Sequence, residues 1–157
     1  MDSSDVIIPA EGRVIGLDMG SKRIGIAVCD DTRFLATPYG VIKRIGDQVK
    51  EHAEILNLVS ETMATLIVIG LPLTMQGEES IAVKNVKSEI KNLQKKTKIP
   101  VIFHDERLTT VSANSLLDSA GVARSNRKDK IDSVAASVIL QSWLDSKNID
   151  KIHSREL

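Results

Sequence analysis

Four acids stand where folding does not call for them: Asp18, Asp105, Glu106 and Asp132. Asp18 interrupts an apolar run with strand character, and the Asp105-Glu106 pair closes another. Asp132 falls in the first turn of the last helical stretch. A carboxylate in apolar surroundings is costly to bury unless it is paired, hydrogen-bonded or bound to metal. Ligands of open α/β sheets gather beyond the carboxyl ends of the strands, where the Asp105-Glu106 pair sits. Converging carboxylates repel one another unless a cation or shared protons offset the charge. His104 is the one nitrogen ligand nearby, so oxygen donors favour Mg2+ or Mn2+ over zinc. Such an ion, held by few carboxylates with water and phosphate completing its shell, suits phosphodiester hydrolysis. Lys22, Arg23, Arg107, Arg124, Arg127, Lys128 and Lys130 lie in loops or near element ends, and fit contacts to the phosphates of a nucleic acid. Two of these acids also have a plain structural explanation. Asp18 would accept hydrogen bonds from the turn that follows it, and Asp132 would complement a helix N-terminus.

The elements that must position these groups begin with residues 13–30, RVIGLDMGSKRIGIAVCD. Two apolar runs flank Gly20-Ser21-Lys22-Arg23, a short glycine-containing link of the kind that closes a hairpin. Side chains alternate between the faces of a strand. Val14, Gly16 and Asp18 therefore share one face of the first run, and Gly25, Ala27 and Cys29 one face of the second. If the small-residue faces coincide, Asp18 stands on a shallow floor, and glycine inside a strand marks close approach by another backbone or a ligand. Asp132 shares its helix face with Ala135 and Ala136, which would let that helix lie close against the floor and bring Asp132 to Asp18.

Along the rest of the chain, residues 34–43 form an edge strand, bulged where Pro38 and Gly40 interrupt it. Residues 47–63 carry a helical stripe of Val49, Ala53, Leu56, Val59 and Met63. Residues 66–71, LIVIGL, have the continuous apolar character of a strand covered on both faces. A loop bracketed by Pro72 and Gly77 leads to a helix with a stripe of Ala82, Val86, Ile90 and Leu93. Its other side carries Lys84, Lys87, Lys91, Lys95 and Lys96, which a solvated face explains. Another buried strand, residues 99–104, precedes a helix from Thr109 or Thr110 to Ala120, stopped by Gly121. The final helix spans about residues 129–145, with Ile131, Val134, Ala135, Val138, Ile139 and Leu140 covering most of its girth. A hairpin extended by helix–strand crossovers makes a mixed sheet with helices on its faces, an α/β domain. Loops 73–79 and 123–130 are polar, poorly anchored and expected to be mobile beside the acidic site.

At 157 residues, 42% apolar and 27% charged, the chain fits one globular domain with its own core. Residues 1–12 read as a flexible leader, 13–146 as a single domain and 147–157 as a C-terminal tail. The lone cysteine, Cys29, excludes an internal disulfide and fits a small buried thiol. No secretory signal or membrane-length apolar run is evident, so a cytoplasmic location without membrane association is expected. The balance of 21 basic and 21 acidic residues gives no global sign of a polyanionic partner, so any such binding must come from a local patch.

Four segments, GLDMGSKRIGIAV, IVIGLPLTMQGEE, HDERLTTVSA and KDKIDSVAASVILQSWL, stand in this order over about residues 13–145. Together they resemble the YqgF (RuvX) family of pre-16S rRNA nucleases, which is similar to the Holliday junction resolvase RuvC. The resemblance implies a ribonuclease H-like fold, with a mixed five-stranded sheet in order 3-2-1-4-5 and helices on both faces. It implies a catalytic and metal-binding set of Asp18, Glu106 and Asp132, with Asp105 belonging to the same motif as Glu106. RuvC-like enzymes close the fourth strand with an acid; here that strand ends Gly70-Leu71-Pro72, so Glu106 must serve from the next strand end. The implied partners are pre-rRNA or structured DNA, with the small ribosomal subunit as a further candidate, and the implied state is a monomer or weak dimer. Two rivals come from other classes. DMGSKRIGIAV also resembles the phosphate-binding hairpin of actin- and hexokinase-like ATPases, but those need two such domains. A non-catalytic RNA- or ribosome-binding module would keep the fold without turnover, yet Asp18, Glu106 and Asp132 are all present.

Overall fold

A computed structural model of the chain describes residues 7–108 and 127–155; the side chains of residues 108, 127–130 and 149–155 fall outside that description. The expected helix 109–120 therefore lies outside the described residues, as do Gly121 and Arg124.

The hairpin forms as its residue pattern requires. β1 (Arg13–Met19) and β2 (Arg23–Cys29) pair antiparallel, with Gly16 opposite Ala27 and Asp18 opposite Gly25. The small-residue faces coincide. β3 (Ala36–Lys43) pairs with β2 as the edge strand; Ile26 faces Gly40 and Ala27 faces Pro38, so Tyr39 is the extra residue of a bulge. After α1 (Gln48–Thr62), β4 (Ala64–Leu71) adds in parallel to β1. After α2 (Ile81–Gln94), β5 (Val101–Asp105) adds in parallel to β4. The sheet order is β3-β2-β1-β4-β5, the 3-2-1-4-5 arrangement that the resemblance implies. A single 3-10 turn over Glu106–Leu108 closes β5. The last described helix, α3 (Arg127–Arg155), runs past residue 145 and takes in residues expected to form a tail.

Two cores sandwich the sheet. On one face Ile15, Leu17, Ile24, Ile26, Ile67 and Ile69 meet Ile55 and Val59 of α1 and Ile90 and Leu93 of α2. On the other, Val14, Ala27, Leu66, Val68 and Ile102 meet Ala136, Ile139, Leu140 and Trp143 of α3. The small-residue floor allows α3 to lie close. A Cβ added to Gly25 would stand 1.9 Å from the Asp132 carbonyl oxygen, and one added to Gly16 2.8 Å from the Leu140 Cβ. The Gln141 side chain also ties α3 to the start of β3, accepting from the Ala36 N–H at 2.9 Å and donating to the Phe34 carbonyl at 3.0 Å.

Two expected helix faces are rotated, and one expected apolar position of the last helix is exposed. Helix α1 buries Glu51, His52, Ile55, Val59 and Thr62, while Val49 and Met63 are exposed. The cause is a polar cluster that hydrophobic periodicity discounts. Arg44, in the link from β3 to α1, donates to Glu51 at 3.0 Å and to both oxygens of Glu89 on α2 at 2.9 and 3.0 Å. His52 Nε2 meets the same Glu89 at 2.8 Å. Buried carboxylates persist when paired, and this pairing fixes which side of α1 faces inward. It also turns α2, which buries Val83 and Glu89 with Ile90 and Leu93 and leaves Ala82 exposed. At the start of α3, Ile131 is 47% exposed, whereas Val134, Val138, Ile139 and Leu140 are buried. Near the N-terminus, Arg33 donates to the carbonyls of Pro9, Glu11 and Gly12, so those leader residues are fastened to the domain.

Candidate active site

Because β1, β4 and β5 are parallel, their carboxyl ends share one edge of the sheet. Asp18 lies near the end of β1, Gly70 near the end of β4, and Asp105-Glu106 at the end of β5. Strand alternation puts Asp18 on the face of Val14 and Gly16, the face covered by α3. Asp132 sits on α3 directly above Gly25, the residue paired with Asp18. Glu106 reaches the same face: a Cβ on Gly70 would stand 2.6 Å from its Oε1, so the missing side chain is what gives this carboxylate room.

The electrostatics report the same gathering. Burial, and then the Asp132 charge, raise the Asp18 carboxyl above its ordinary range. Burial, then Asp18, then Asp105, raise Glu106 to about 7. Asp105 behaves differently. Its carboxylate receives the Arg107 guanidinium at 2.6–3.1 Å, which holds its pKa below the usual range. Arg107 also donates to the Met75 carbonyl at 3.2 Å, fastening the loop between β4 and α2 beside the site. That loop is further closed by the Gly77 N–H on the Thr74 carbonyl at 2.8 Å. His104 is buried against α3, with its Nε2 3.0 Å from Ser142 Oγ, and burial lowers its pKa.

Of the seven expected phosphate contacts, Lys22 is exposed at the hairpin turn. Arg23 instead meets Asp132, its Nε 2.5 Å from Oδ2, and Arg107 is engaged by Asp105 and Met75. Arg127, Lys128 and Lys130 lie in the first turn of α3, with side chains outside the described residues; Arg124 is outside altogether. The residues that sequence reading missed are Arg44, Glu51, Glu89 and His52. The Arg44 Nε donates to the Gly20 carbonyl at 2.7 Å and its backbone N–H to the Lys22 carbonyl at 2.9 Å. The turn that follows Asp18 thus rests on a buried ionic cluster. Hydrophobic periodicity carried no signal of it, because the inward placement of Glu51 and Glu89 shows only in the folded helices.

Among the described residues, no group of three or more His, Cys, Asp or Glu side chains stands assembled to hold a metal ion. A magnesium site needs less, since that ion commonly takes one or two carboxylates and completes its shell with water and phosphate. Asp18 and Glu106 are such a pair: two hard oxygen donors, partly buried, the Asp18 charge adding to burial in raising the pKa of Glu106. The donor set therefore fits a hard divalent cation, with Asp132 adjacent and committed to Arg23.

The comparisons with known proteins agree with this architecture. The family model described as "RuvX: Holliday junction resolvase" matches residues 12–146. The chain belongs to the RuvX family. A relative from Roseiflexus sp. (strain RS-1), named "Putative pre-16S rRNA nuclease", is 40% identical over 87% of this chain and 96% of its own length. One of the same name from Acidiphilium cryptum (strain JF-5) is 41% identical over 90% and 89%. Among solved structures, T. thermophilus RuvC in complex with a Holliday junction substrate aligns with a TM-score of 0.55 at 14% identity, over 86% of this chain and 94% of that one. The yeast mitochondrial Holliday junction resolvase also aligns at 0.55, with 15% identity over 90% and 80%. These likenesses establish a RuvC-like ribonuclease H fold for this RuvX-family chain. No helix among the described residues is long and apolar enough to cross a membrane.

Proposed function

We propose that this RuvX-family protein is a metal-dependent endonuclease that hydrolyses phosphodiester bonds in structured nucleic acid, and that its substrate is the 5′ end of pre-16S rRNA. The observation that carries the reading is the coupling of Asp18, Glu106 and Asp132 at one edge of the sheet, where burial and mutual repulsion raise the first two. Asp18 and Glu106 would hold Mg2+ or Mn2+. When bound, that ion would lower the pKa of a water and stabilise charge on the leaving oxygen. The chain's own residues do the rest. The floor of Gly16, Gly25 and Ala27 fixes the height of α3 and so the approach of Asp132. The buried Arg44 cluster holds the turn that carries Lys22. Lys22 and the basic start of α3 would contact phosphates and set register without reading bases. The name of the curated relatives favours RNA over a DNA junction. The low aromatic content, 3%, argues against a stacking platform for single strands.

The test is incubation with precursor 16S rRNA and with four-way DNA junctions, each with Mg2+, Mn2+ or a chelator. Asp18→Asn keeps the shape and removes the charge that would hold the cation. Cleavage should fall by orders of magnitude while binding persists or strengthens, because one charge repelling the phosphates is gone. If Asp18→Asn cleaves as fast as the parent, the nuclease reading fails and a binding module takes its place.

A further inference from the structure

Arg23 raises a question that the proposed reaction leaves open. Its Nε lies 2.5 Å from Asp132 Oδ2, an ion pair within the acidic edge. The guanidinium on Oδ2 opposes a second cation on the same carboxylate, because the two positive charges would stand within a few ångströms of each other even if the cation took the other oxygen. Arg23 cannot release Asp132 by losing its proton, since a guanidinium stays charged in proteins. It can release Asp132 only by moving.

The surroundings permit that movement for the side chain alone. The backbone beneath is fixed: Arg23 is a β2 residue opposite Lys43, and two positions on, Gly25 touches the Asp132 peptide so closely that a Cβ there would meet its carbonyl at 1.9 Å. The side chains are different. Arg23 is 28% and Asp132 24% exposed, so the guanidinium has a path to solvent without any opening of the core. A pair built only for stability would gain little at such exposure. On the near side of Asp132 lies Asp18, which already feels its charge. Once released, Asp132 would face the cation held at Asp18, and Arg23 would stand at the hairpin turn beside Lys22, free to take a phosphate bidentately.

We propose that Arg23 is an exchangeable counter-cation of the acidic site. It holds Asp132 while the site is empty and must give that carboxylate up before Asp132 can join Asp18 and Glu106 around a divalent ion. Metal entry then converts Arg23 from an internal partner into a contact for substrate phosphate. The inference rests on the metal-dependent reading of the site and adds an order of events to it.

The experiment reads metal binding alone, with no nucleic acid and no turnover. Mn2+ affinity is measured by electron paramagnetic resonance on the full chain for the parent, Arg23→Gln, Arg23→Lys, Asp132→Asn and the Arg23→Gln/Asp132→Asn double variant. Lys22→Gln serves as a control, removing one positive charge at the same turn. Exchange predicts that Arg23→Gln binds Mn2+ more tightly, by about fivefold or more, in the range usual for coupled sites. Arg23→Lys should fall between it and the parent, and Lys22→Gln should shift affinity far less. In the Asp132→Asn background the Arg23 substitution should have almost no further effect, because nothing remains to be released. Equal shifts from Arg23→Gln and Lys22→Gln would overturn the inference and leave only a general field effect, as would additive shifts in the double variant. If the parent and every variant fail to bind Mn2+, the metal-dependent reading falls as well. Failure of the arginine comparison alone leaves that reading standing.

Discussion

Glu106 is the residue whose state should be easiest to watch. Its carboxyl is raised from 4.5 to about 7, so the folded chain holds that proton more tightly than the unfolded chain does. For a raised carboxyl, the stability contributed is fully present below the unfolded pKa and lost as pH rises through the folded one. In chelator, the melting temperature should therefore drop across about pH 4.5 to 7, and Glu106→Gln should flatten that stretch of the profile. Mn2+ should restore stability above the window, since a ligand that binds only the folded state stabilises it. Thermal melts at fixed ionic strength check all three. Gly70→Ala makes the complementary perturbation. The new Cβ would stand 2.5 Å from Ile139 Cδ1 and 2.6 Å from Glu106 Oε1. Overpacking of this kind costs about 1–3 kcal/mol, and the displaced carboxylate should lower cleavage and Mn2+ affinity together.

The elements are held by contacts of two kinds, and each gives its own prediction. Gly25 meets backbone, the Asp132 carbonyl, rather than the end of a flexible side chain. Gly25→Ala must therefore lift the N-terminal part of α3, and should destabilise the fold by more than about 2 kcal/mol in urea titration. Arg44→Met leaves Glu89 without its guanidinium and Glu51 with only the backbone N–H groups of Ile45 and Gly46, and breaking a buried pair this way costs about 3–5 kcal/mol. These contacts also explain what was legible in the sequence. The hairpin, its coincident small faces, the bulged edge and the approach of α3 all follow from side-chain size and alternation, which local pattern carries. The inward faces of α1 and α2 do not. Val49 and Met63 satisfied the helical period as well as Ile55 does, and only the pairing of Arg44 with nearby Glu51 and with Glu89, 45 positions away, decides between them. The partners of Arg23 and Arg107 were hidden because a basic residue near a site reads alike whether it faces solvent or an acid. For Arg23 that acid, Asp132, stands more than a hundred positions away in the chain.

At the scale of the whole molecule, the sheet divides the charge into two territories. The acidic edge and the start of α3 lie on one face, while exposed Lys84, Lys91 and Lys95 ride on α2 over the other. Nucleic acid seated for cleavage should draw on the first territory. Arg127→Ala with Lys128→Ala should weaken binding and make it less salt-sensitive, while turnover at saturation is largely kept. The salt slope should fall by about 0.7–0.9 for each phosphate that the protein no longer neutralises. Replacing Lys84, Lys91 and Lys95 with glutamine should leave that slope almost unchanged. Filter binding across a salt series separates the two sets.

The open space at Gly70 bears on which substitutions the acidic edge can accept. Glu106 leans from the neighbouring strand end into the space above Gly70, and any side chain introduced there would compete with it for one volume. An acid introduced at Gly70 while Glu106 remains would bring a clash and a second repelling charge; removal of Glu106 first would leave the edge one carboxylate short. Neither single change leaves the acidic edge as it is, so a substitution at either residue is constrained by the other.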